Sequence, residues 1–202
     1  MKIVGVEVLQ NSGKYATSQE WSATRTNLHN AVKRVSWPPG SNSFTIYPER
    51  GKKHGEGNGV RPIKNELMKD LAAQGWKLEE PLDVASFKRP GKLDAVLCTS
   101  HGPVALEWET GNISSSHRAL NKMALGLLRG VLACGVLVVP SRNLYKFLTD
   151  RVGNIAELEP YLELWRSVPC KEGVLEVVVV EHDAESTKAP KIPKGTDGRA
   201  LR

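Results

Sequence analysis

The chain has 202 residues and a mass of 22.2 kDa, enough for one domain with a real core or at most two small ones. Its 40% hydrophobic and 25% charged residues are those of an ordinary globular protein, and no apolar run reaches the roughly 18 residues of a membrane span. Twenty-eight basic residues against 22 acidic ones give a net charge of +6 and a pI near 9.3, which permits a polyanionic partner without requiring one.

In chain order, the stretch Met1–Glu7 carries charge within its apolar run and reads as a strand over residues 2–9, not as a secretory signal. Thr17-Ser18-Gln19-Glu20 fits a capping box with Thr17 as N-cap. The helix it opens extends to about Val35, with Trp21, Leu28 and Val32 on one face, and Trp37-Pro38-Pro39-Gly40 ends it. Residues 42–48 read as a short strand. Gly51–Gly59 is a glycine-rich loop carrying Lys52, Lys53 and His54. Pro62 suits the first position of a helix whose stripe is Ile63, Leu67 and Leu71, and Gly75 stops it. Trp76 and Leu78 lead onward.

Residues 93–98 and 104–109 flank the turn signal Ser100-His101-Gly102-Pro103 and read as an antiparallel hairpin. His117–Ala133 is expected as a helix with Leu120, Met123, Ala124, Leu127, Leu128, Val131 and Leu132 on its core face. Val136–Val139 is a wholly apolar strand, as in mid-sheet, and Val174–Val180 is another. Ser141–Arg151 and Ile155–Arg166 read as helical. The sequence predicts a single domain over 1–182 and a flexible tail from 183, where apolar periodicity is absent. The class is α/β, a mixed central sheet flanked by helices. Cys98, Cys134 and Cys170 are too few and scattered for a disulfide framework, and they form no CxxC pair. Cys98 and Cys134 are expected as buried small hydrophobes, and a reducing cytoplasm is the expected compartment.

The hairpin gathers acids. A turn centred near His101 and Gly102 places Asp94 opposite residue 107, 108 or 109, at about 5 Å, while Glu107 and Glu109 project from one face. Carboxylates that close repel, and protonation or a cation relieves them. Hard oxygen ligands suit Mg²⁺, which polarises a phosphodiester and activates water for in-line attack. The alternatives are a solvated strand face and a carboxylate pair for glycoside hydrolysis, for which the aromatic sugar-stacking surface is thin. Between Gly111 and Arg151, six basic residues (Arg118, Lys122, Arg129, Arg142, Lys146, Arg151) stand against one acid, Asp150. An acidic centre bordered by cations suits a nuclease; a solvated basic helix face is the plain alternative.

Asp94, then Glu107-Trp108-Glu109, then Gly111-Asn112-Ile113-Ser114 resembles the BamHI/BglII group of type II restriction endonucleases, which have the PD-(D/E)xK fold. The resemblance extends upstream through Asn58–Glu66 and downstream to the Val-Val-Pro-Ser-Arg segment ending at Arg142, roughly residues 55–145. It implies a restriction-endonuclease-like core and Mg²⁺-dependent cutting of double-stranded DNA at a palindrome, with GATC within it. Asp94 and Glu107 would hold Mg²⁺ with help from the Trp108 carbonyl, and Glu66 would complete the site. Glu109 takes the position where the commoner nuclease pattern has lysine. Asn112 and Ser114 would read inner base pairs, Arg118 a guanine, and Ser141 and Arg142 an outer pair, with Lys122 also on the DNA. A homodimer is implied, with Leu125, Leu127, Leu128 and Leu132 as interface candidates, and a cognate DNA methyltransferase. The competing expectations are a structure-specific or repair nuclease of the same fold and a non-catalytic DNA-binding module.

Overall fold

The computed structural model describes residues 1–51, 56–84, 91–149 and 152–194. Lys52, Lys53 and His54 of the glycine-rich loop, the pair Asp150 and Arg151, and residues 195–202 lie outside the described residues. In chain order the elements are β1 (Lys2–Ser12), α1 (Gly13–Ala16), α2 (Gln19–Arg34), β2 (Thr45–Ile46), α3 (Arg61–Ala73), β3 (Lys77–Pro81), β4 (Lys92–Thr99), β5 (Gly102–Trp108), α4 (Ile113–Leu128), β6 (Cys134–Pro140), α5 (Arg142–Tyr145), α6 (Ile155–Leu158), a 3₁₀ turn at Glu159–Tyr161, α7 (Leu162–Arg166), β7 (Gly173–Glu181) and β8 (Ala184–Glu185).

Among the described residues six strands form one sheet in the order β1-β7-β6-β5-β4-β3. β6 runs parallel to β5 and β7, and the other pairs are antiparallel, so the sheet is mixed as expected. The continuous apolar runs of β6 and β7 are explained by their central place, since both faces of each are covered. Alternation sends Val136, Val138 and Val178 to one face, where Leu28 and Val32 of α2 and Leu67 and Leu71 of α3 pack. Leu137, Val139 and Val177 face the other way, onto Leu120, Met123 and Leu127 of α4 and Trp165 of α7.

Several expected boundaries move, each for a local reason. β1 runs on to Ser12 and α1 fills the next turn, so Thr17 ends α1 and Ser18 caps α2 instead, its Oγ accepting from Trp21 N at 3.0 Å. Glu20 does not fold back to close a capping box. It accepts from Ser100 N at 3.0 Å and Ser100 Oγ at 2.6 Å, which ties α2 to the β4–β5 turn. Helix α4 begins at Ile113, four residues before His117, because Asn112 caps it, and it ends at Leu128 as Gly130 turns to a φ of 65°. Leu128 is therefore exposed and not part of the core face, while Leu132 is buried in the following loop. Helix α5 stops at Tyr145. Cys134 is buried as expected, but Cys98 is exposed near the end of β4.

The segment from Asp183 is a larger correction. Far from hanging as a tail, its described residues pack on the body. β8 pairs in parallel with β2, Ile192 is 1% exposed, and Trp37 Nε1 donates to Pro190 O at 2.7 Å. Ile192 N donates to Asn58 Oδ1 at 3.1 Å, and Asp183 pairs with the Met1 ammonium at 3.0 Å. A segment held by single anchors and backbone pairing needs no apolar period. Among the described residues no helix is long and apolar enough to cross a membrane.

Candidate active site

The β4–β5 register pairs Thr99 with Gly102 and Ala95 with Leu106. One step further, the same register sets Asp94 against Glu107, inside the range expected from the turn. Trp108 N donates to Asp94 Oδ2 at 2.8 Å, fixing that carboxylate across the pair. Its other oxygen, Oδ1, is in an ion pair with Lys64 Nζ from α3, and the two side chains are only 18% and 13% exposed. Burial pushes the Glu107 carboxyl up to about 7, the Asp94 charge adds to the rise, and Lys122 and Lys64 oppose it.

Glu109 follows the end of β5, its N–H still donating to Val138 O at 2.9 Å. Its side chain is buried. Oε1 accepts from Gly111 N at 2.5 Å and Oε2 from Ser116 Oγ at 2.5 Å. Burial raises its carboxyl above the ordinary value, against the pull of those two bonds. Glu109 is thus tied to the first turns of α4.

The three acids open onto a cleft of about 1170 Å³, whose other wall is α4 with Ser114, Arg118 and Lys122. Arg118 and Ser114 are exposed; Asn112 is exposed at the helix start, where its side chain caps Ser115 N at 3.3 Å. Lys122 is half-buried, and desolvation pulls its amine down. Its Nζ donates to Gly91 O at 2.9 Å and Lys92 O at 3.1 Å, so it also holds the start of β4.

Three expected site residues stand elsewhere. Glu66 pairs with Lys69 at 3.0 Å and does not line the cleft. Two residues apart on a helix means about 200° of rotation, so α3 turns Lys64 toward Asp94 and Glu66 away. Ser141 is buried as the cap of α5, accepting from Leu144 N at 3.1 Å and donating to Glu181 Oε2 at 2.8 Å. Arg142 lies over the Tyr145 ring at 5.2 Å. Neither borders the cleft. Of the interface candidates, Leu127 and Leu132 are core residues, Leu125 lines the cleft and Leu128 is exposed.

Two residues beside the site escaped the sequence reading. One is Lys64. The other is Glu79, a non-glycine residue at φ 51°, which with Lys64 and Asp94 lines an adjoining cavity of about 400 Å³. Its only signal was an acidic pair on the strand next to β4, whose register flanks Asp94 with Leu78↔Ala95 and Glu80↔Leu93. Among the described residues no three His, Cys, Asp or Glu side chains gather closely enough to hold a metal ion alone.

The family model for restriction endonuclease BamHI matches residues 1–199. Type II restriction enzyme OkrAI of Oceanobacter kriegii is 50% identical over 202 residues, the whole of both chains. Type II restriction enzyme BamHI of Bacillus amyloliquefaciens is 34% identical over 195 residues, 91% of this chain and 84% of that one. Among solved structures, restriction endonuclease BglII complexed with a DNA 16-mer superposes with a TM-score of 0.62 at 10% identity, covering 91% of this chain and 79% of its own.

Proposed function

Because the chain belongs to the BamHI family of restriction endonucleases and is a type II site-specific deoxyribonuclease, we propose that its Asp94–Glu107 site hydrolyses phosphodiester bonds of double-stranded DNA with the help of Mg²⁺. One observation carries this reading: Glu107 faces Asp94 in a partly closed cleft, with a carboxyl raised to about 7, walled by Arg118 and Lys122. Two carboxylates so placed want a cation, and the Lys64 ammonium already sits on one of them.

The donor set fits Mg²⁺ better than a metal that needs a full protein cage. Mg²⁺ keeps several waters and takes one or two carboxylates plus substrate phosphates, which Asp94, Glu107 and the Trp108 carbonyl would meet without a third acid. When bound, the ion supplies Lewis-acid polarisation and a water of lowered pKa. The chain does the rest. Trp108 N–H aims Asp94 through Oδ2. Glu109 has a donor on each oxygen, which favours an orienting role at the junction of β5 and α4 over proton abstraction. Arg118 and Lys122 hold the DNA beside the acids. Asn112 and Ser114, exposed at the start of α4, meet base edges in the major groove. The products are a 5′-phosphate and a 3′-hydroxyl.

The site read is a palindrome with GATC in it, cut by a symmetric homodimer with one strand to each subunit, and the host carries a methyltransferase for the same sequence. A digest of unmethylated phage DNA, with Mg²⁺ and with EDTA, followed by sequencing of the ends, tests site and metal together. Discrete fragments only with Mg²⁺ are expected; a smear would return the structure-specific nuclease. Glu107→Ala should abolish cutting and leave a gel shift intact, and cutting at the wild-type rate would sink the assignment of this carboxylate.

A further inference from the structure

Lys64 is accounted for by neither the family match nor the sequence reading, yet it makes the most direct contact at the site. Trp108 N–H occupies Asp94 Oδ2 and Lys64 Nζ occupies Oδ1, so both oxygens are already engaged. Lys122, the other ammonium acting on Glu107, donates to the backbone of Gly91 and Lys92 and makes no ion pair with Asp94 among the described residues. Among the described residues Lys64 is therefore the cation ion-paired with Asp94, in a pair largely screened from water. A metal ion that takes Asp94 through Oδ1 must displace it. The ammonium has somewhere to go, because Lys64 borders both the cleft and the adjoining cavity that Glu79 lines.

We propose that Lys64 is the built-in counter-ion of the carboxylate site, a positioning residue that holds Asp94 in the metal-free protein and is exchanged for the divalent cation. The proposal rests on Asp94 being a metal ligand. Before the exchange, Lys64 keeps Asp94 aimed and offsets its repulsion with Glu107. Afterwards, its freed charge stands at the rim of a cleft built to receive a phosphate backbone. Metal binding thus includes the breaking of an ion pair, and the affinity of the DNA-free protein for the cation is lowered by that pair.

Calcium titrations by calorimetry on DNA-free wild type, Lys64→Met, Lys64→Arg and Asp94→Asn test this. Lys64→Met should bind Ca²⁺ about fivefold more tightly, the equivalent of about 1 kcal/mol for a lost competing pair, and Lys64→Arg should stay near wild type. Amine-reactive labelling of the wild type, read by peptide mass, gives a measure that needs no variant. Lys64 should be modified faster in saturating Ca²⁺ than in EDTA. Equal or weaker Ca²⁺ binding by Lys64→Met overturns the proposal, as does a labelling rate that Ca²⁺ leaves unchanged. If Asp94→Asn binds Ca²⁺ like wild type, the metal reading of Asp94 fails as well. If Asp94→Asn loses Ca²⁺ while Lys64→Met changes nothing, the counter-ion alone is refuted.

Discussion

Glu176 of β7 is 1% exposed, with Arg25 Nε at 3.0 Å and His29 Nε2 at 3.5 Å from its oxygens. Removing Arg25, itself 36% exposed, leaves His29 as the partner of a buried carboxylate, so Arg25→Ala should cost about 1–3 kcal/mol in a urea melt. Glu107 is buried on different terms. Its folded value, about 7, lies above its ordinary 4.5, so the folded chain holds this proton more tightly than the unfolded one. The stability it contributes is fully present below 4.5 and is lost as pH rises through about 7. Melts in EDTA between pH 5 and pH 8 should show that loss, and Glu107→Gln should flatten the slope; an unchanged slope in the variant would refute it. The acids of the site were legible because a turn signal and an ExE spacing suffice to bring Asp94, Glu107 and Glu109 together. Lys64 was not, since which side of α3 meets β4 is decided by packing. Glu79 was not, since its positive φ leaves no mark in a run of two glutamates.

At the scale of elements, the site depends on how closely α4 lies on β6. A Cβ added at Gly135 would stand 2.7 Å from Met123 Cβ, a contact that only a movement of the helix relieves. Gly135→Ala should therefore cost about 1–3 kcal/mol by overpacking. It should also weaken DNA binding in a gel shift, because Arg118 and Lys122 ride on α4. Ser18→Ala, which removes the α2 cap and the bond from Ser18 Oγ to Tyr15 O, should cost about 1 kcal/mol and leave DNA binding alone. Strands β6 and β7 were plain from their apolar runs. Helix ends were less so: Asn112 as the cap of α4 was hidden by its place in a motif that suits base contacts, and Ser18 by a neighbouring threonine that fits the capping-box spacing.

Across the whole molecule, the N-terminus and the segment from Asp183 to Ile192 are tied to the same body. Asp183 takes the Met1 ammonium at 3.0 Å and also accepts from Phe44 N at 2.6 Å, and Ile192 sits in the core beside the loop at Asn58. Ile192→Ala should lose about 2–5 kcal/mol, measurable as a lower urea midpoint; a dispensable tail would lose nothing. This part of the fold was illegible in sequence because its anchors are solitary, spaced by turns and prolines, and so carry neither period. The overall class survived that error, since the sheet is set by β4 to β7 and the segment after Asp183 closes over it.

Glu109 answers two donors at once, and this bears on what can stand in its place. Its carboxylate receives Gly111 N–H and the hydroxyl of fully buried Ser116. Lysine has no acceptor to offer either donor. A substitution to lysine would strand a buried hydroxyl and loosen the entry to α4 unless position 116 changed with it.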